Sequence, residues 1–289
     1  MARRSARSWF ALVLCLSVAL VAPGRAQNAA PSGDFIVLLS NDDGYGAPGL
    51  VALAKAFEGI GTVYVVAPAT NQSGKGHSIL TTRDPIFIAE HKQQDGPSWY
   101  AIEAPPATCV RLGIESLLPQ RPDVVVSGVN PGDNLGMSVY LSGTVGGARE
   151  GAMAGIPSIA VSMDGNKEQD FTQAAGYVRK LVDELRAKKM LRPGLFLNVN
   201  TPAGEWKGVR LTRLSLRPSN DSFERRASPR GRVYFWSLYQ PPEEGDAGTD
   251  VWAFARGFVS LTPMELDTTA QAQMQGLRRL EQVPAGAAK

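Results

Sequence analysis

The side chains with the clearest chemical meaning are two adjacent carboxylates, Asp42 and Asp43, within the stretch LLSNDDGYGAPGL of residues 38–50. An apolar run precedes them, and glycines and a proline follow. Two neighbouring carboxylates repel each other in a small volume unless a cation offsets their charge. The pair therefore indicates a metal site, and the alternative is an ordinary turn in which one Asp caps the next helix.

Two further polar loops follow apolar runs in the same way. The run TVYVVAP leads to Asn71, Ser73 and Gly74. The run PDVVVSG leads to Asn130. Ligands of open parallel sheets bind beyond the carboxyl ends of the strands, so these loops are expected to meet at one edge. Carboxylate, hydroxyl and amide oxygens suit Mg²⁺, Mn²⁺ or Ca²⁺ and suit a structural Zn²⁺ site poorly.

A third component is the segment YLSGTVGGAREGAMAG, in which Ser142, Gly143 and Thr144 precede a predicted helix rich in small residues. Free N–H groups at a helix start, with hydroxyl groups beside them, form an anion site suited to phosphate. Ordinary N-capping by Ser or Thr is the alternative. The segment is not a Walker loop, because no Gly-Lys-Ser/Thr follows at the required spacing.

Other candidate nucleophiles and acids are few, since the chain has two histidines and two cysteines. His77 lies in the second polar loop, where it acts as an acid, orients a ligand or is an ordinary polar loop residue. An acyl hydrolase that uses Ser142 lacks a nearby base. Cys109 lies in a helical pattern and is expected to be a small buried packing residue rather than a nucleophile.

The elements that must position these loops alternate along the chain. Short apolar runs such as FIVLLS, SIAVSM and LFLNVN are typical of buried parallel strands, and QDFTQAAGYVRKLVDELRAKK has the spacing of an amphipathic helix. This alternation predicts an α/β layered sheet with crossover helices. After about residue 205, strands separated by Pro- and Gly-rich pieces predict β arms that project and pair with another subunit, followed by a terminal helix.

The N-terminus has the pattern of a secretory signal peptide. Residues 1–26 combine four Arg, no acidic residue, a mostly apolar run and a small-x-small site before Gln27. An uncleaved N-terminal anchor is the alternative. Removing four Arg from 30 basic residues leaves 26 against 27 acidic residues, a net charge of −1. Cleavage near Ala26–Gln27 therefore predicts a periplasmic or secreted protein without a stable membrane span and without a nucleic-acid polymer as partner.

The predicted organisation has four parts. They are a signal peptide (1–26), a linker (27–34), an α/β core (35–205) and a C-terminal region of β arms and a terminal helix (206–289).

From Phe35 to Thr269 the chain resembles the SurE family of stationary-phase survival proteins. The stretches that carry the resemblance, in order, are IVLLSNDDGYGAPGL, APATNQSGKGHSI, PDVVVSGVNPGDNLG, YLSGTVGGAREG and GFVSLTPMELD. The resemblance implies a Rossmann-like, three-layer α/β fold with a mostly parallel sheet. It also implies a C-terminal β-hairpin or arm that exchanges between subunits of a homodimer or tetramer.

The same resemblance implies a metal-dependent 5′/3′-nucleotidase that hydrolyses nucleoside monophosphates, with short polyphosphate as a further substrate. It implies one divalent ion, Mg²⁺ or Mn²⁺, at the positions of Asp42, Asp43, Ser73 and Asn130, of which the two Asp are also catalytic. It places Asn71, Gly74, Ser142, Gly143 and Thr144 at the phosphate, with His77 as an auxiliary residue.

Two features depart from the family pattern. Family members are usually cytoplasmic, whereas this chain has the pattern of an exported protein. Leu141 stands before Ser142 and moves Tyr140 back one place, which is expected to alter the substrate pocket. An alternative function is a periplasmic protein that binds phosphate-containing ligands without turnover.

Overall fold

The computed structural model describes residues 34–80, 83–165, 170–218, 221–238 and 245–281. The predicted signal peptide lies outside these described residues, as does the predicted linker except for Asp34. Among the residues described, no helix is long and apolar enough to cross a membrane.

The centre of the fold is a mostly parallel sheet. The strands are β1 Ile36–Ser40, β2 Thr62–Pro68, β3 Ile88–His91, β4 Trp99–Ile102, β5 Val124–Pro131, β6 Ser158–Met163, β7 Phe196–Thr201, β8 Val209–Leu211, β9 Ser222–Ala227, β10 Val233–Leu238 and β11 Val259–Pro263. Nine of these described strands form one sheet in the order β3-β4-β2-β1-β5-β6-β7-β11-β8. The six from β4 to β7 in this order run parallel to their neighbours, as the apolar runs predict.

Helices cover both faces of the sheet. The α-helices described are α1 Pro48–Ala56, α2 Pro106–Leu112, α3 Gly143–Met153, α4 Thr172–Ala187, α5 Asp250–Ala255 and α6 Gln271–Leu277. Val37 of β1 belongs to the core shared with Leu50 of α1 and Val178 of α4. Its neighbour Leu38 belongs to the core shared with Cys109 of α2. Because successive strand residues face opposite sides, this division confirms the predicted three-layer α/β fold.

The C-terminal region differs from its prediction in the placement of two strands, and it also contains helix α5, which was not predicted. Of the strands predicted there as projecting arms, β8 and β11 instead extend the main sheet, since β11 pairs antiparallel with β7 and β8 pairs parallel with β11. Val259 and Ser260 of β11 are fully buried, so this strand covers an edge of the sheet that would otherwise be unpaired.

The arm itself is the hairpin of β9 and β10, which pair only with each other within the described chain. Its apolar side chains face solvent, since Phe223 is 70% exposed and Phe235 is 61% exposed. A two-stranded hairpin is at best marginally stable alone in water. The exposed apolar surface fits the predicted pairing with another subunit, which stays a prediction.

Asp250, at the start of α5, ties the C-terminal region to the loop after β5. It is fully buried. Its Oδ2 accepts a hydrogen bond from Gly136 N at 2.7 Å, and its Oδ1 accepts from Ser215 N at 2.8 Å and from Val251 N at 2.9 Å. One carboxylate therefore satisfies backbone donors on three segments of the chain.

Replacing Asp250 with Ala is expected to lower the free energy of unfolding by about 3 kcal/mol, because it leaves these buried N–H groups without acceptors. Chemical denaturation monitored by circular dichroism measures this loss. Asp246→Ala is the control, since the Asp246 side chain is 57% exposed and pairs with Arg217 at the surface. The expectation is contradicted if the two variants lose similar stability.

Candidate metal and phosphate site

The three polar loops predicted to converge lie at the carboxyl edge of the sheet. β1 pairs with β2 on one side and with β5 on the other, so the loops after these three strands are neighbours. The order of strands also reverses at β1, with β2 and β4 to one side and β5 to β7 to the other. Such a reversal is where open α/β proteins bind their ligands.

The turn after β1 is shaped by Asn41, which is fully buried. Its Nδ2 donates to Gly44 O at 2.9 Å, and its Oδ1 accepts from Gly44 N at 3.2 Å. Gly44 has φ +120°, a conformation that side-chain-bearing residues rarely adopt. The Asn and the Gly therefore close a tight turn that presents Asp42 and Asp43 at the edge of the sheet.

Asp42 lies against the start of α3. Its Oδ1 accepts a hydrogen bond of 2.5 Å from Thr144 Oγ1. A Cβ added to Gly143 would lie 2.7 Å from Asp42 Cβ, so only glycine permits this approach. Burial raises the pKa of Asp42, and the bonds from Thr144 and from backbone N–H groups partly oppose the rise. The sequence pattern did not show that the carboxylate pair and the Ser142–Thr144 turn are in direct contact.

Asp43 is the residue that most clearly fits a cation. Its Oδ2 is buried and has no hydrogen-bond partner among the described residues, and its Oδ1 receives only a 3.4 Å bond from Asn71 Nδ2. Burial and the charge of Asp42 raise the pKa of Asp43 to about 7. A buried carboxylate oxygen without a partner is unfavourable. A divalent cation would supply the missing partner and offset the repulsion.

The loop after β2 reaches the carboxylate pair through its backbone. Gln72 N donates to Asp42 O at 2.7 Å, and Ser73 N donates to Asn71 Oδ1 at 2.8 Å. Ser73 and Gly74 are exposed. The structure thus brings the predicted ligand Ser73 and the predicted phosphate residues Asn71 and Gly74 to the same edge as the two Asp.

Asn130 comes to this edge through an irregularity in β5. The register between β5 and β6 shifts between Ser127 and Asn130, and such a bulge re-aims the side chains that follow it. Asn130 Nδ2 donates to Gly132 O at 2.7 Å. This bond uses the amide nitrogen, so the amide oxygen is the side-chain atom that could serve as a hard-metal ligand.

The donor set at this edge fits a hard cation on chemical grounds. Among the described residues, no group of three or more His, Cys, Asp or Glu is placed to hold a metal ion. A site here therefore needs the hydroxyl of Ser73 and the amide oxygen of Asn130 beside the two carboxylates. Such an all-oxygen set suits Mg²⁺ or Mn²⁺.

The start of α3 is capped by Ser142, whose Oγ accepts a hydrogen bond from Val145 N at 3.0 Å. The capping alternative is therefore present in the structure. Thr144 bonds Asp42 as described, so the positive end of the helix faces the carboxylate pair. Phosphate binding by Ser142, Gly143 and Thr144 stays a prediction, and their position beside the pair is compatible with it.

His77 does not join the carboxylate pair in this structure. Its Nε2 lies 2.8 Å from Oε2 of Glu150, a residue of α3. Glu150 also accepts a 2.6 Å hydrogen bond from Arg111 Nε of α2. The Nε2 atom of His77 therefore has a partner outside the three loops, and the auxiliary role predicted for His77 stays a prediction.

One supporting group was missed by sequence reasoning. The loop after β5 is held by a buried polar network in which Asn134 N donates to Asn200 Oδ1 at 2.7 Å and Asn198 Nδ2 donates to Asn134 O at 2.8 Å. Asn134 Nδ2 also donates to Ser162 Oγ at 2.7 Å. The available signal was the pattern NVN in an otherwise apolar strand, which places two amides on one face.

Cys109 is fully buried, as predicted, and burial raises the pKa of its thiol. A thiol with a raised pKa is a poor nucleophile, so the packing role predicted for Cys109 is confirmed.

The fold and the site together define a class. It comprises mostly parallel α/β proteins whose polar loops meet at the strand-order reversal of the sheet, where such folds bind their ligands. The family model "Survival protein SurE" matches residues 37–221. This chain belongs to the SurE family.

Individual relatives agree with this assignment. The chain is 44% identical over 249 residues to "5′-nucleotidase SurE 1" of Thermus thermophilus, covering 84% of this chain and 97% of that protein. It is 40% identical over 248 residues to "5′-nucleotidase SurE" of Desulforudis audaxviator, covering 84% and 96%. The crystal structure of the SurE protein from Aquifex aeolicus superposes with a TM-score of 0.74 at 37% identity, covering 86% of this chain and all of that one.

Proposed function

We propose that this protein is a metal-dependent phosphomonoesterase that hydrolyses nucleoside 5′- and 3′-monophosphates to nucleoside and phosphate, with short polyphosphate as a second substrate. The observation that carries the proposal is the buried, unpartnered Oδ2 of Asp43 beside Asp42, at the strand-order reversal and against the start of α3. Relatives named 5′-nucleotidase, 40% and 44% identical over most of the chain, support nucleotidase chemistry.

Each part of the site has a role in this proposal. Asp42, Asp43, Ser73 and Asn130 would hold one divalent ion, Mg²⁺ or Mn²⁺. When bound, such an ion lowers the pKa of water and polarises a phosphoryl oxygen. Asp42 or Asp43 would accept the proton of the water whose oxygen bonds to phosphorus, and the nucleoside oxygen would take up a proton from solvent as its P–O bond breaks.

The phosphoryl group would be held between two loops. Hydrogen-bond donors of the Ser142–Thr144 turn would stabilise the negative charge on its oxygens from one side. Asn71 and Gly74 would do so from the other side. Exposure of Ser73 and Gly74 leaves this side open for a substrate to enter. The nucleoside leaves from the same open side.

The rival function is binding of a phosphate-containing ligand without turnover. A pure binder gains little from two carboxylates that face an anion unless a cation bridges them. The two functions are separated by incubating the purified protein with AMP and each of Mg²⁺, Mn²⁺ and Ca²⁺, then quantifying AMP, adenosine and phosphate. We expect equal amounts of adenosine and phosphate with Mg²⁺ or Mn²⁺. Retention of intact AMP with every metal would favour the binder.

A second comparison defines the substrate class. The same assay with 5′-AMP, 3′-AMP and short polyphosphate is expected to release phosphate from all three. Release from polyphosphate alone would contradict a nucleotidase while leaving a metal-dependent phosphatase.

The proposal extends to location and assembly. We propose export through cleavage near Ala26–Gln27, which N-terminal sequencing of the protein from fractionated cells tests. We also propose that the β9–β10 hairpin joins subunits into a dimer or tetramer. Light scattering of the protein with and without the hairpin measures this assembly.

A further inference from the structure

The loop between β2 and β3 contributes Asn71, Ser73 and Gly74 to the proposed site. It carries Ser73 and Gly74, which are exposed, and two glycines with positive φ, Gly74 at +75° and Gly76 at +56°. It is linked to the turn after β1 by the backbone bond from Gln72 N to Asp42 O and by the long 3.4 Å bond from Asn71 Nδ2 to Asp43 Oδ1. Glycine can adopt many backbone conformations, so these two positions do not by themselves fix the path of the loop. Precise placement of Ser73 therefore needs an anchor beyond the loop.

The structure supplies that anchor on α3. Gly76 N donates to Leu141 O at 2.9 Å, just before the helix. A Cβ added to Gly146 would overlap Gly76 O, so the loop backbone lies directly on the first turns of α3. Glu150 stands one turn further on the same face as Gly146, since residues four apart share a helix face. It is there that Glu150 meets the ring of His77.

Glu150 places a carboxylate in a buried position, which is unfavourable unless the carboxylate is well paired. It is only 4% exposed. Burial alone would raise its pKa, but the hydrogen bonds from His77 and Arg111 outweigh burial and hold the pKa below its ordinary value. A buried charge is tolerated only when it is well paired. Glu150 lies about 9 Å along the helix axis from Thr144, so it holds the His77 loop and not the phosphate.

We propose that Glu150 is a positioning residue of the nucleotidase site. By binding His77 Nε2, its carboxylate clamps the β2–β3 loop onto the helix that carries Ser142–Thr144, and so fixes Ser73 opposite the Asp42–Asp43 pair. The expected effect of Glu150 on activity rests on the proposed function. Its effect on the placement of the β2–β3 loop does not.

The test uses His77→Ala and Glu150→Gln in the full protein with two readouts that need no turnover. The first is Mn²⁺ binding followed by electron paramagnetic resonance of the free ion. We expect about 10-fold weaker binding in each variant, the usual effect of losing a residue that supports a metal ligand. The double variant is expected to bind no more weakly than the weaker single variant, since both remove one contact.

The second readout is trypsin cleavage after Lys75 in metal-free protein. Lys75 is exposed within the same loop. Local opening governs such cleavage, so we expect both variants to be cut about 10-fold faster than the wild type. If Glu150→Gln fails to fold, His77→Ala still tests the proposal. The His77 side chain is 22% exposed, so we expect this variant to fold.

Arg111→Gln is the matched control. It removes the other hydrogen bond to Glu150, at 2.6 Å, but leaves the His77 contact in place. We expect reduced thermal stability with Mn²⁺ binding and Lys75 cleavage within about twofold of the wild type. The proposal is overturned if His77→Ala and Glu150→Gln match the wild type in both readouts, or if Arg111→Gln changes them equally. Absence of wild-type AMP hydrolysis would instead count against the proposed function.

Discussion

Replacing Asp43 with Asn is expected to reduce metal-dependent phosphate release from AMP by at least about 1,000-fold. The substitution removes a charge from the proposed cation site and one of the two candidate proton acceptors, and each such loss commonly costs a factor of 100 or more. Initial rates at saturating Mn²⁺ measure the effect. Full activity of this variant in the presence of a chelator would refute the assignment of the site.

The same variant is expected to be more stable than the wild type when no metal is present. The pKa of Asp43 is raised to about 7 from 3.8, so the folded state disfavours its charged form. This penalty is absent below about pH 4, grows as the pH rises and is complete above about pH 7. Asn has no charge and therefore carries no such penalty. A variant that gains stability while it loses activity is common at functional sites.

Thermal melting in chelator separates this effect from damage to the fold. At pH 8 we expect the Tm of Asp43→Asn to exceed that of the wild type by about 2–4 °C, and the difference to vanish near pH 4. Asp183→Asn is the control, because Asp183 is 49% exposed and pairs with Arg179 along α4. A gain of the same size in the control would show that the stabilisation has nothing to do with the carboxylate pair.

The second large effect is expected from Gly143→Ala. The added Cβ would lie 2.7 Å from Asp42 Cβ and 2.8 Å from Asp42 Oδ2, closer than such atoms approach in proteins. Asp42 or the start of α3 must therefore shift, and a displacement of about 1 Å at a reacting site costs on the order of 100-fold in rate. We expect that loss in kcat/KM for AMP together with a lower Tm.

Gly176→Ala provides a matched substitution within α4. A Cβ there meets nothing within 4 Å, and alanine favours a helix interior over glycine by roughly 0.5–1 kcal/mol. This control is expected to raise the Tm slightly and leave the activity unchanged. Activity of Gly143→Ala within twofold of this control would contradict the close packing of α3 on the carboxylate pair.

Much of the fold was predictable because its signals are local. The buried strands are apolar runs that end at turn residues, and α4 has a clear amphipathic spacing. The meeting of the three loops followed from the rule that parallel strands end at one edge. Asp42, Asp43, Ser73 and Asn130 were accordingly placed at one edge, although their role as ligands remains to be measured.

The features that sequence reasoning missed depend on contacts between distant segments. β11 joins the sheet because β7 offers an edge, which no local pattern of residues 259–263 reveals. His77 looks the same in sequence whether its ring faces a substrate or Glu150, 73 residues away. The contact between Thr144 and Asp42 likewise spans 102 residues, so only the packing of α3 on the turn after β1 discloses it.

Metal-dependent phosphoester hydrolysis at the Asp42–Asp43 pair is tested most directly by one titration. Protein freed of metal by chelation is given increasing Mn²⁺ while phosphate release from AMP is recorded. We expect no release without metal and a rise to a plateau when one ion is bound per chain. Undiminished release in the chelated protein would contradict the proposal, as would a plateau that Asp43→Asn reaches unchanged.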